Sequence, residues 1–125
     1  METVLAEKFE TVITRSVTNT RMRDFYDIYI LTTTQPFNAD TFNAALQTTV
    51  EKRGTIEQMG DKTDVIQTVA ESPMMLGLWQ RYQKKYSYAA DVSWDMAVGA
   101  VRKLASMMDW GNAHEDADRH SFTHN

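Results

Sequence analysis

The run Arg23-Asp24-Phe25-Tyr26-Asp27-Ile28-Tyr29-Ile30-Leu31 constrains the fold of this chain more than any other. At about 100° per residue its apolar and aromatic side chains cover nearly the whole circumference of a helix, and a helix apolar all round is normally buried. Two acids interrupt it. Asp24 and Asp27 stand at i, i+3, which places their Cβ atoms on one face, about 5–6 Å apart. Desolvating an unpaired carboxylate costs several kcal/mol, so both should meet cations as the helix packs. This half of the chain offers Lys8, Arg15, Arg21 and Arg23.

The remaining sequence supplies helices to bury that segment. Residues 2–17 place Val4, Leu5, Phe9 and Val12 on one side, with Glu7 and Glu10 opposite. The second helix, over 21–31, ends in a threonine run. Asn38 or Asp40 caps a third, in which Phe42, Ala45, Leu46 and Val50 recur, and Gly54 stops it. A fourth spans 62–71 with Val65, Ile66 and Val69. Pro73 opens a fifth over 73–88, with Met75, Trp79, Tyr82 and Tyr86 on one stripe and Arg81, Lys84 and Lys85 on the other. Asp91 or Ser93 caps the last, whose apolar face is Met96, Ala97, Ala100, Val101, Leu104 and Met108. Five Gly and two Pro in 125 residues suit helices better than turn-rich sheets. The expectation is an all-α, single compact bundle of about five to six helices over residues 1–110, with 111–125 a polar, disordered tail.

Composition removes several functions. Without cysteine there is no disulfide scaffold, thiolate zinc site or cysteine nucleophile. A net charge of -4 argues against a generic polyanion binder. No apolar run approaches the roughly 18–20 residues of a membrane span. The N-terminal helix carries Glu2, Glu7 and Glu10, unlike a signal peptide, so a cytoplasmic protein is expected. His114, His120 and His124 lie in the aperiodic tail and read as solvated rather than metal-bound.

On a wheel with Val4 at zero, Lys8 falls at about 40° and Arg15 at about 20°, away from the glutamates. Two readings follow. In one, Lys8 snorkels and the constellation is a buried ion-pair cluster joining the first two helices. In the other, Asp24 and Asp27 hold a divalent metal such as Mg²⁺ while Lys8 and an Arg meet phosphate oxygens. Residue types alone leave both open. The stretch from Trp79 to Tyr88 poses a similar choice. Its aromatics either stack bases beside Arg81, Lys84 and Lys85 or face the core while the cations are solvated, and the wheel favours the core.

The segment from Glu2 to Val12, then Arg15, then Asn19-Thr20-Arg21-Met22-Arg23-Asp24-Phe25-Tyr26-Asp27-Ile28-Tyr29, resembles the AbiEii/AbiGii abortive-infection nucleotidyltransferase toxin family. The similarity continues through Thr41-Phe42 to Lys52-Arg53-Gly54-Thr55 and through Leu78-Trp79-Gln80-Arg81-Tyr82 to the last helix. The resemblance implies a polymerase-beta-like core joined to a helical C-terminal part. It also implies nucleotide transfer from a nucleoside triphosphate with Mg²⁺, in related toxins onto RNA, within toxin–antitoxin systems linked to phage defence. It assigns Lys8 a phosphate-facing role and makes Asp24 and Asp27 the catalytic, metal-organising acids. Arg15, Arg21 and Arg23 become the substrate-binding cations. The family's Gly-Ser and Asp-x-Asp motifs precede its Lys motif, whereas this chain opens at the Lys motif, and Asp116-Ala117-Asp118 lies in the polar tail. The chain therefore reads as a C-terminal helical half, inactive alone, whose partners are the missing nucleotidyltransferase half or an antitoxin. Two alternatives stand beside it: a helical interaction module that binds an antitoxin or other partner, and a small RNA-binding domain.

Overall fold

The computed structural model of the chain describes residues 1–108 and 110. Among them every regular element is helical, in seven helices: α1 (Glu2–Arg15), α2 (Met22–Thr34), α3 (Ala39–Arg53), α4 (Ile56–Met59), α5 (Lys62–Glu71), α6 (Pro73–Lys85) and α7 (Trp94–Met107). The all-α expectation holds. The count of five to six misses α4, a single turn between Gly54 and Gly60 that is too short to leave a periodic signal. The tail motifs, including His114, His120, His124 and Asp116-Ala117-Asp118, lie outside the described residues. No described helix is long and apolar enough to cross a membrane.

Local chemistry sets most boundaries. Asn38 caps α3 by accepting the Thr41 N–H at 2.9 Å, and Gly54 ends it in the left-handed region at φ 69°. Ser72 caps α6 ahead of Pro73, and Ser93 caps α7 by accepting the Met96 N–H at 3.1 Å. The threonine run does not stop α2. Thr32, Thr33 and Thr34 each donate a hydroxyl hydrogen to a carbonyl four residues back, so the helix continues to Thr34. The fifth expected helix stops earlier, at Lys85, because Tyr86 turns extended before a 3-10 turn at Ser87–Ala89.

α1 lies at the centre, packed against α2, α3, α4 and α5, while α7 closes the bundle over α2 and α5. Phe9 meets Phe42 edge-on at 6.0 Å, joining α1 to α3. Phe25 stacks at a tilt on Trp94 at 5.0 Å, and Trp94 in turn meets Trp79 at 5.7 Å, tying α2, α7 and α6 together. The indole of buried Trp79 donates to the Val92 carbonyl at 2.9 Å, so its polar atom is satisfied.

Two positions depart from the wheel of α1. Val4 is 44% exposed, whereas Glu10, assigned to the solvated face, is 3% exposed. Both follow from the packing of α1 between α2 and α3. The buried arc is broader than a single stripe and is centred near Phe9, so Val4 falls outside it and Glu10 inside.

Gly54 has open space where a Cβ would sit, so its left-handed backbone is the only obstacle to a side chain. Gly54→Ala should lower stability by about 1 kcal/mol, read as a reduced urea midpoint with an unchanged m-value.

Candidate functional site

The two aspartates of α2 converge on one cation. Asp24 is buried, and its Oδ1 lies 3.2 Å from the Lys8 Nζ of α1. Asp27 Oδ2 lies 3.1 Å from the same nitrogen. Arg23 adds a longer contact, its Nε 3.7 Å from Asp27 Oδ2, from a side chain that is itself largely exposed. Lys8 thus bridges both carboxylates across the α1–α2 junction.

Arg15 and Arg21 are exposed and join no ion pair among the described residues, but they are not remote. They line one polar groove of about 650 Å³ with Lys8, Asp24, Glu7 and Glu10. Sequence reasoning therefore named four of its charged walls: Lys8, Arg15, Arg21 and Asp24. Asp27, which pairs with Lys8, and Arg23 are not among its lining residues.

Three lining residues with no assigned role form a second polar cluster in the groove. Buried Glu10 accepts from Arg53 Nη1 at 2.6 Å through Oε1 and from the Thr55 hydroxyl at 2.9 Å through Oε2. Arg53 and Thr55 both line the groove. The left-handed turn at Gly54 is what lets the chain place both side chains on one carboxylate. The signal was present in Lys52-Arg53-Gly54-Thr55, but its partner was hidden by the placement of Glu10 on the outer face of α1.

A second groove, of about 440 Å³, lies beyond Arg21, which lines both. Its walls include Arg23, Arg81, Lys85, Tyr82 and Tyr86. The aromatics here form a cluster rather than a stripe: Tyr26 to Tyr88 at 4.7 Å, Tyr82 to Tyr86 at 4.8 Å and Tyr86 to Tyr88 at 5.4 Å. The Tyr82 and Tyr88 hydroxyls share a hydrogen bond of 2.7 Å. Burial, with the Tyr88 hydroxyl next, pushes the Tyr82 phenol well above its ordinary value, and burial raises Tyr26 as well. The core expectation for this stretch holds for Met75 and Trp79, while the tyrosines spread onto the surface as α6 ends.

With this geometry in hand, comparison with known families is decisive. The family described as the nucleotidyl transferase AbiEii toxin of a type IV toxin–antitoxin system matches residues 1–100. The chain belongs to the AbiEii family. Comparison with curated proteins and with solved structures returned no match. The matched span contains Lys8, Asp24, Asp27, Arg53 and both grooves' charged walls.

Nucleotidyl transferases typically work with a nucleoside triphosphate and Mg²⁺, so the acids of this AbiEii chain can be tested for fit to the metal. They do not fit as they stand. The Lys8 ammonium already holds the space shared by Asp24 and Asp27, and a divalent ion there would sit against its charge. No group of three His or acidic residues suited to a metal occurs among the described residues.

Lys8→Met should leave Asp24 and Asp27 facing each other without their shared cation. The expected loss is about 2 kcal/mol, below the full cost of deeply buried pairs because these side chains keep some solvent. A double-mutant cycle with Asp24→Asn, read by urea unfolding, should give a coupling of about 1 kcal/mol. The tyrosines give a separate test. A phenol raised in the folded state contributes stability that is complete below its unfolded value near 10.0 and is lost as pH rises through the higher folded value. Thermal unfolding above pH 10 should therefore show falling stability, and Tyr82→Phe should flatten that decline.

Proposed function

We propose that this AbiEii chain supplies the phosphate-binding side of a nucleotidyl transfer site in a toxin–antitoxin system. The observation that carries this reading is the Lys8 ammonium fixed between Asp24 and Asp27 on the wall of a cation-lined groove. An ammonium has three donors. One is given to Asp24 while Asp27 is held as an ion pair, which leaves donor capacity for a phosphate oxygen. Arg15 and Arg21 add positive charge along the same wall, where guanidinium groups match phosphate oxygens in pairs.

In this reading Lys8 contacts the triphosphate, and Asp24 and Asp27 act by holding Lys8 rather than as metal ligands of this chain. Arg23 steadies Asp27 from outside. The acids that organise Mg²⁺ come from another polypeptide segment, the nucleotidyltransferase half, which docks beside the groove. An antitoxin is the expected regulatory partner, in keeping with the family's place in type IV systems. A second reading, in which RNA is the acceptor, draws on the tyrosine and arginine groove that meets the first at Arg21. Single strands bind by stacking on aromatics and by phosphate contact to basic side chains.

Calorimetry of the chain with a nucleoside triphosphate at low salt should show saturable binding. Lys8→Gln and Arg21→Gln should each weaken it about tenfold, and added salt should weaken it further. No labelled nucleotide should pass to RNA from this chain alone, and transfer should appear when a family nucleotidyltransferase core is added. Robust transfer by the chain alone would overturn the division of labour.

A further inference from the structure

Arg53 is the one cation of the groove that approaches from α3, across α1 from the Lys8 and Asp24 pair. Its side chain is 41% exposed, while the Glu10 that grips it is 4% exposed. Its contacts to Glu10 and to the Thr11 hydroxyl, at 2.6 Å and 3.5 Å, both use Nη1. The remaining donors of the fork are not spent on them. Glu10 has both oxygens engaged, by Arg53 and by Thr55. A carboxylate buried this completely is an expensive way to pin α3 to α1, since an apolar pair of similar volume often serves stability as well or better. What a buried acid adds is direction: it fixes one edge of a guanidinium and aims the other.

We propose that Arg53 is a phosphate-binding residue of this groove and that Glu10, helped by Thr55, is its positioning residue. This inference rests on the phosphate-groove reading above and extends it to the opposite wall. A polyphosphate in the groove is then gripped from two sides, by Lys8 on the α2 side and by Arg53 on the α3 side. The ligand class is a linear polyphosphate, the triphosphate chain of a nucleotide being the occupant that the groove reading supplies. The planar fork of Arg53 suits two phosphate oxygens at once, which a lysine in its place would not.

The test uses the full chain and inorganic tripolyphosphate, with binding read by calorimetry at low salt. The paired variant Glu10→Gln with Arg53→Gln removes one negative and one positive charge together. The net charge of the groove is unchanged, and no carboxylate is left buried without its cation. It should bind tripolyphosphate about tenfold more weakly while still unfolding cooperatively on heating. Arg53→Lys keeps the ion pair to Glu10 and loses the fork, and should weaken binding severalfold, so it serves if the paired variant does not fold. Arg102→Gln, on an arginine that contacts Gln67 in a different groove, should change nothing. Wild-type affinity in the paired variant or in Arg53→Lys, with Lys8→Gln still weakened, would overturn the role of Arg53 and leave the groove reading standing. Absence of saturable tripolyphosphate binding by the unmodified chain would overturn both.

Discussion

The structure depends on how the central helix disposes of its charges. α1 is enclosed by α2 on one side and α3 on the other, so its polar residues at the edges of the buried arc cannot all reach water. Lys8 and Glu10 stand two residues apart, of opposite sign, and point to opposite neighbours. Each is neutralised by the helix it meets: Lys8 by Asp24 and Asp27 of α2, Glu10 by Arg53 at the end of α3. Leaving either charge without its partner would be destabilising. The two ion-pair systems therefore fix the rotation of α1 and the register of both flanking helices together. The groove is the space between them.

A second set of contacts ties α2 and α3 to the outer helices. The chain Phe25–Trp94–Trp79 carries α2 through α7 to α6, with the Trp79 indole and the Gln83 amide both donating to the Val92 carbonyl. Asn43 donates to the Met107 carbonyl at 2.8 Å, tying the end of α7 back to α3. Aromatic rings with few rotatable bonds lose little entropy when they pack, and they hold the helices that carry the charged side chains. The phosphate recognition proposed for the groove would need such placement, since a cation displaced by an ångström loses much of its directional advantage.

Much of this was legible in the sequence, and the failure that mattered for the groove has one cause. The conflict between an apolar circumference and Asp24 with Asp27 announced a charge cluster, and Lys8 was among the few cations within reach. Asn38 and Ser93 were among the caps readable from the sequence, as were the start at Pro73 and the stop at Gly54, because these signals are local chemistry. What could not be read was set by tertiary packing. The wheel of α1 ranks positions by angle from one apolar stripe, but two neighbouring helices bury two arcs, which reversed the environments of Val4 and Glu10. With Glu10 misplaced, Arg53 and Thr55 had no visible partner. The single turn of α4 is too short to leave a periodic signal, and the end of α6 at Lys85 comes from the extended backbone of Tyr86.

The same charge accounting says how Lys8 can act. A surface lysine is a mobile, well-hydrated point charge, and it meets phosphate without directional preference. Lys8 is different because it donates to Asp24 and pairs with Asp27, which hold its nitrogen at 3.2 Å and 3.1 Å. With Arg23 on Asp27, the cluster of two acids and two cations is close to neutral and supplies little long-range attraction of its own. Attraction falls to Arg15 and Arg21, which are exposed and carry no carboxylate partner among the described residues. The groove thus separates two tasks that one arginine-rich patch would combine. In the proposed reading, exposed guanidinium groups draw the ligand in, and a fixed ammonium, low in net field but precise in direction, decides where its phosphate comes to rest.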